Sequence, residues 1–273
     1  MNSITSPLRY PGGKQRVVKR ILPLIPTCFS EYREPFLGGG SLFIAIKQMY
    51  SEVKCRIGDL NRDLYSFWTT LKNNPKELIG EITEIKRTCR NGKDLYMKLA
   101  QHPESSDVFQ LAVRFFVLNR ITYSGTIDSG GYSAEAFEKR FTTSNIAKLE
   151  SLSNLLQDVD VVNESYEKLL LEPGDRVFLY LDPPYWKSRK SRLYGKNGDL
   201  HSFFDHVRFA EDVRACKHQW LMTCDDSDMM RGLFEFGNAL SWESLYGMTN
   251  VNGRPKMGKE LFVANYPMPP DPS

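Results

Sequence analysis

The sequence predicts an α/β fold in which a sheet is interrupted by one long, mainly helical insertion. Two observations carry this. Short apolar runs recur along both ends of the chain, several of them closing on a polar or glycine-containing segment, and the first is followed directly by a helical pattern. Between them, from about Leu64 to Glu150, the pattern is mainly helical. Strand followed by helix gives a sheet whose ligands gather at the carboxyl ends of its strands.

The strand-like runs are Glu31–Pro35, Lys54–Ile57, Val159–Asn163, Val177–Leu181, Trp220–Thr223 and Glu260–Asn265. Ser41–Tyr50 reads as a helix, because Ile44, Ala45, Ile46 and Met49 form a compact apolar face. In the middle, Leu78, Ile79, Ile82 and Ile85 recur at helix spacing, and Val108–Leu118 is a second apolar helix. A basic stretch, Lys86–Lys93, separates them, and a Gly/Ser-rich loop, Ser124–Tyr132, follows them. The chain thus leaves the sheet near residue 62 and returns near 157. This predicts one domain from residues 1–62 and 157–273, with 63–156 inserted into it. The Pro-rich end, Pro267–Pro272, is expected to be disordered.

Composition narrows the function classes without choosing among them. At 273 residues, with 41% hydrophobic and 25% charged, the chain can bury a sizeable core. A net charge of +3 is compatible with a polyanionic partner but does not require one. No apolar run reaches the roughly 18 residues of a membrane span, and the start lacks a signal-peptide layout, so a cytoplasmic protein without a membrane partner is expected. The five cysteines are scattered with no Cys-x-x-Cys pair, and read as reduced. His102-Pro103-Glu104 matches half of a zinc deaminase signature whose Pro-Cys-x-x-Cys half is missing, and no metal is implied.

The most informative motif is Leu181-Asp182-Pro183-Pro184-Tyr185-Trp186, directly after an apolar strand. Two prolines hold a rigid turn. The Asp182 carboxylate and the Pro183 carbonyl then form two fixed acceptors, and Tyr185 offers a flat stacking face. Activating an exocyclic amine requires such a set. The nitrogen lone pair is drawn into the ring, and acceptors holding the amino hydrogens make it more tetrahedral and free it for an electrophile.

Glu34-Pro35-Phe36-Leu37-Gly38-Gly39-Gly40-Ser41 lies between strand and helix, where small residues let the backbone approach a ligand. It lacks the third glycine of the dinucleotide fingerprint, with Phe43 in its place. Gly58-Asp59-Leu60-Asn61 closes the next strand, and Asp59 comes 19 residues after Gly40, a spacing suited to ribose hydroxyls. Together these indicate an adenosine-containing cofactor. Lys14, behind Gly12-Gly13 in Pro7-Leu8-Arg9-Tyr10-Pro11-Gly12-Gly13-Lys14, can serve a phosphate or a carboxylate; phosphate-loop spacing is absent, so a carboxylate is the better match.

In this order, the Arg-Tyr-Pro-Gly-Gly-Lys start, the Glu-Pro-Phe-x-Gly-x-Gly loop, the Gly-Asp-Leu-Asn acid, a helical insertion, Asp-Pro-Pro-Tyr and the last strand Lys259–Tyr266 resemble the Dam-like (D12 class, α-group) DNA adenine-N6 methyltransferases over nearly the whole chain. The resemblance implies a Rossmann-like, S-adenosylmethionine-dependent methyltransferase sheet with an inserted target-recognition domain. It also implies methyl transfer to N6 of an adenine flipped out of double-stranded DNA. Tyr10, Lys14, Phe36, Gly38, Gly40, Asp59 and Asp182 would bind the cofactor. Asp182, Pro183 and Tyr185 would form the catalytic loop.

For DNA contact the resemblance points to Arg9 and to Asn119-Arg120-Ile121-Thr122-Tyr123-Ser124-Gly125, where Ser124 replaces the family's Asn. Relatives reading GATC carry an Arg beyond this segment. Here the chain reads Thr126-Ile127-Asp128, and aspartate cannot read guanine as arginine does, so the target sequence stays open. The basic run Trp186–Lys196, with Arg189, Lys190 and Arg192, suits phosphate contacts beside the base pocket. Related loops that act on RNA or protein amides typically read Asn-Pro-Pro-Tyr, whereas this chain has Asp182. A monomer, or a weak dimer on DNA, is expected.

Overall fold

The computed structural model describes residues 3–10, 12–100, 107–127, 130–186, 204–251 and 254–269. Among the described residues seven strands form one sheet: β1 (Glu31–Glu34), β2 (Lys54–Gly58), β3 (Asp160–Val162), β4 (Val177–Leu181), β5 (Gln219–Asp225), β6 (Asn238–Val251) and β7 (Arg254–Ala264). Their spatial order is β3-β2-β1-β4-β5-β7-β6. β1 to β5 run parallel, and β7 lies antiparallel between β5 and β6.

The order fixes where a ligand belongs. From β1 the chain steps outward to β2 and β3, then returns to β4 on the opposite side of β1. Connections therefore diverge at β1 and β4, opening a crevice at their carboxyl ends. The glycine loop follows β1, Asp59 follows β2 and Asp182 follows β4, so the chemistry-bearing motifs converge on that crevice.

β4 is buried along its whole length, as expected for a central parallel strand covered on both faces. Phe178 and Tyr180 join one core, with Ile21 of α1 (Val18–Ile21) and Phe43 and Ile46 of α2 (Ser41–Met49). Val177, Leu179 and Leu181 join the other, with Met222 and Val263. The insertion comprises α3 (Arg62–Asn73), α4 (Pro75–Thr88), α5 (Gly92–Ala100), α6 (Val108–Ile121), α7 (Ala134–Lys139) and α8 (Thr143–Leu155). Its Phe67, Trp68 and Leu71 on α3, and Phe115 and Phe116 on α6, are fully buried in the same core as the first sheet face. At about 1.5–3 kcal/mol for each buried large apolar side chain, this contact fastens the insertion to the sheet.

The expected strands are all present with shifted ends, and the Ser41–Tyr50 helix is α2. β6 was not anticipated. Its apolar residues alternate with polar ones instead of forming a run: Trp242 is buried while Ser241 and Glu243 are exposed, the pattern of an edge strand packed on one face. The Gly/Ser-rich loop is partly ordered by an isolated bridge between Thr122 and Tyr132. Asp128, the 102–104 segment and residues 270–273 lie outside the described residues.

Candidate active site

Asp182 leaves β4 at the crevice, and both of its carboxylate oxygens are engaged. Oδ2 accepts from Lys14 Nζ at 2.6 Å, and Oδ1 accepts from Thr223 Oγ1 at 2.7 Å. Thr223 has one hydroxyl proton and gives it to Asp182, so the 2.8 Å contact with Tyr180 is a hydrogen bond donated by the Tyr180 hydroxyl. The parallel register pairs Leu181 with Met222, which places Thr223 beside Asp182. Tyr185 donates its hydroxyl to Glu260 Oε2 at 2.7 Å. The Lys14 ammonium lies 5.0 Å from the centre of the Tyr185 ring. Burial, then the Asp182 and Glu260 charges, push the Tyr185 phenol above its ordinary range, so it remains a neutral donor.

The glycine loop is shaped by what its missing side chains permit. Gly40 has φ +64, and a Cβ there would meet the Trp68 ring at 2.8 Å. Trp68 is fully buried and donates from Nε1 to the Gly38 carbonyl, so the first insertion helix supports the loop from below. Gly38, at φ +48, lets the Tyr10 ring lie against the loop, where a Cβ would come within 3.0 Å of it.

Asp59 accepts from the Gly38 N–H at 3.0 Å and the Asn61 N–H at 2.9 Å, joining the tips of β1 and β2. Desolvation raises its carboxyl to about 6 despite those two donors. Asn61, the last residue of that motif, caps α3 by accepting from Asp63 N and Leu64 N. Glu34, at the end of β1, is buried and pushed up to about 8 by desolvation, and it accepts the Tyr32 hydroxyl at 2.6 Å. Phe36 turns to the other side of the loop, stacking on Tyr166 of α9 (Tyr166–Leu171) and meeting Phe204 and Phe209 edge-on.

Tyr10, Lys14, Gly38, Gly40, Asp59, Asp182 and Tyr185 thus gather around one crevice. Tyr10, an acid at the β2 tip and an ammonium beside Asp182 supply what an adenosine bearing an amino acid needs: a flat ring, a partner for hydroxyls and a partner for a carboxylate. Pro183 is buried in the rigid turn.

The residues expected to contact DNA are arranged differently. Asn119 is fully buried and pairs with the Arg9 main chain, accepting from its N–H at 2.9 Å and donating to its carbonyl at 2.8 Å. Arg120 is also buried and donates to the Arg140 and Pro7 carbonyls. Desolvation, then the Arg9 and Arg140 charges, lower it to about 10. Both direct their donors into the protein and fasten the N-terminal segment to the insertion. Tyr123 by contrast is 62% exposed. Ser124 sits in the left-handed region at φ 54, a conformation that asparagine tolerates better. At Gly125 a Cβ would fall 2.1 Å from the Arg9 carbonyl oxygen. Arg189, Lys190 and Arg192 lie outside the described residues.

Thr223, Glu260 and His206 were not singled out by their sequence context. Thr223 closes one strand-like run and Glu260 opens another, so their place in strands was legible, although β5 runs on to Asp225 and β7 starts back at Arg254. Their neighbours were not, because strand order is not written locally.

Five parallel strands with an antiparallel β7–β6 edge, this switch point, the glycine turn and the acid-proline loop are consistent with a Rossmann-like methyltransferase. The chain belongs to the D12 class N6 adenine-specific DNA methyltransferase family, whose model matches residues 10–248. It is similar to the type II methyltransferase M1.LlaDCHI of Lactococcus lactis subsp. cremoris, at 26% identity over 94% of each chain. It is also similar to the type II methyltransferase M.CviBI of Paramecium bursaria Chlorella virus NC1A, at 24% identity over 95% of this chain and 98% of the relative. A DNA adenine methylase of Vibrio cholerae is 26% identical over 65% of this chain and 64% of its own. The protein is accordingly an adenine-specific DNA methyltransferase, and both family and fold imply use of S-adenosylmethionine.

Proposed function

We propose that this protein is a site-specific enzyme that methylates N6 of an adenine flipped out of duplex DNA. The observation that carries the reading is the Asp182 carboxylate, held at the switch point between Lys14 and Thr223 and beside Tyr185. S-adenosylmethionine supplies an electrophilic methyl group on a sulfonium. Asp59 takes the ribose hydroxyls, Tyr10 flanks the adenine end, Phe36 braces the loop from its other side against Tyr166 and Phe209, and Gly38 and Gly40 allow close backbone approach. Lys14 takes the methionine carboxylate and thereby leaves Asp182 free for the target amine.

Asp182 and the Pro183 carbonyl accept the two amino hydrogens, exposing the nitrogen lone pair, while Tyr185 stacks on the base. Flipping is required because N6 is paired and stacked inside the duplex. Tyr123 and the cations Arg189, Lys190 and Arg192 contact the DNA, as does Arg9, whose main chain Asn119 holds. Ser124 shapes the turn that presents Tyr123. A monomer, or a weak dimer on DNA, suffices for one strand at a time, and the enzyme works in the cytoplasm where that DNA lies.

The test is expression in a methylation-free bacterial host, followed by genome sequencing that detects N6-methyladenine. One short motif methylated throughout is expected, with no signal from Asp182→Ala. Absence of methyladenine from soluble, cofactor-binding protein would overturn the reading.

A further inference from the structure

The Asp182 and Tyr185 side chains hold the two ends of the catalytic loop, and the main chain between them needs its own anchor. Pro183 and Pro184 contribute no N–H, so between them the loop can be anchored only through its carbonyls. The Pro183 carbonyl is the one the reaction needs. The Pro184 carbonyl is engaged by a residue far along the chain: His206 Nε2 lies 2.7 Å from it. His206 is 2% exposed and is the first residue of α10 (His206–Ala215), following its N-cap Asp205.

The ring is fixed on its other sides as well. Its Nδ1 lies 3.1 Å from the Phe204 carbonyl. Trp186 and Phe204 meet it edge-on, at centroid distances of 5.3 Å and 4.9 Å. A carbonyl oxygen only accepts, so the short contact requires a proton on Nε2, in the neutral Nε2–H form or in the imidazolium that serves both carbonyls. Phe204 also meets Phe36. The start of α10 therefore joins the cofactor loop to the catalytic loop.

We infer that His206 is a positioning residue for methyl transfer. By donating from Nε2 to the Pro184 carbonyl it sets the peptide plane between Pro184 and Tyr185, and so the direction of the Pro183 carbonyl and the Tyr185 ring. This rests on the reading of Asp182–Tyr185 as the loop that holds the target amine.

Two measurements decide it. In the intact wild-type protein, long-range proton–nitrogen NMR of the His206 ring should show a protonated, hydrogen-bonded Nε2. A bare Nε2, with the proton on Nδ1 alone, would overturn the inference without any variant. In His206→Gln, the amide nitrogen reaches the Nε2 position, and kcat is expected within about fivefold of wild type. In His206→Leu, which keeps volume without the donor, kcat should fall at least about thirtyfold, with cofactor and DNA affinities within about threefold. If the Leu variant matches wild type, or the Gln variant is as impaired as the Leu variant, His206 is packing only. If the wild type neither methylates adenine nor brightens 2-aminopurine placed at the target base, the functional reading itself fails. That outcome differs from either result for His206.

Discussion

Replacing Thr223 by Val tests the catalytic geometry at the position where the structure makes the sharpest demand. The side chain is fully buried, and Val nearly matches its shape, so the change removes a hydroxyl and little else. Two bonds go with it: the 2.7 Å donation to Asp182 Oδ1 and the 2.8 Å bond received from Tyr180. A hydrogen bond to a charged group contributes about 1.5–3 kcal/mol, and a buried hydroxyl left without a partner costs about 1–3 kcal/mol. The Tyr180 term falls on the fold and should appear as lost thermal stability. The Asp182 term falls on the reaction, because one carboxylate oxygen loses the donor that fixes its rotation. At about 1.4 kcal/mol per factor of ten, kcat should drop roughly 10- to 150-fold.

Single-turnover transfer of a labelled methyl group into DNA measures that step directly, and calorimetric titration measures cofactor affinity separately. Affinity should stay within about threefold, because Thr223 bonds to Asp182 and Tyr180 and not to the glycine loop or Asp59. Thr223→Ser keeps the hydroxyl and should recover most of the rate. Tyr180→Phe removes only the rear partner and should cost stability more than rate. A folded Val variant with wild-type kcat, or a Ser variant as slow as Val, would refute the reasoning.

Gly40→Ala combines a left-handed backbone with a Cβ 2.8 Å from the Trp68 ring, at about 1–2 kcal/mol for the first and 1–3 for the second. Urea denaturation should register that loss, and cofactor affinity should fall at least about tenfold. Glu34, raised to about 8 from an ordinary 4.5, keeps its proton in the folded protein and loses it in the unfolded chain between those values. Stability should therefore decline as pH rises from about 5 to 8, by a few kcal/mol at most. Glu34→Gln should flatten the decline, and an unchanged slope in denaturation midpoints across that range would show that Glu34 is not its source. Neutralising Arg189, Lys190 and Arg192 together should weaken DNA binding and reduce the slope of log affinity against log salt by about three. An identical slope would return that run to ordinary surface.

The motifs legible in the sequence were those whose chemistry is local. Gly38, Gly40, Asp59 and Asp182 each sit at the end of a strand-like run, and strand ends are where a parallel sheet exposes its chain. Thr223 was hidden for the opposite reason. Its role depends on β5 lying next to β4, a fact of strand order that no window of sequence contains. β6 was hidden because one-sided burial leaves alternation instead of an apolar run. Asn119 and Arg120 sit in a segment whose residue types suit nucleic-acid contact. Residue type does not reveal whether an amide or a guanidinium faces solvent or a main-chain carbonyl, and here both face carbonyls.

Asn119 and Arg120 also help assemble the site. The N-terminal segment touches every part that must act together. Ser6 donates to the Gly39 carbonyl, the Tyr10 ring lies on the glycine loop, and Lys14 reaches Asp182. What holds this segment is the insertion: Asn119 mimics a strand partner by engaging both the N–H and the carbonyl of Arg9, and Arg120 takes the Pro7 carbonyl. Gly125 leaves room for the same Arg9 carbonyl. Losing the Asn119 and Arg120 bonds alone would therefore release the segment that carries Tyr10 and Lys14, while the shared core would still hold the insertion on the sheet. The exposed Tyr123, four residues beyond Asn119, sits at that same joint. The route from Tyr123 to the Asp182 carboxylate is thus short, running through Asn119, its two bonds to the Arg9 main chain and the Lys14–Asp182 contact.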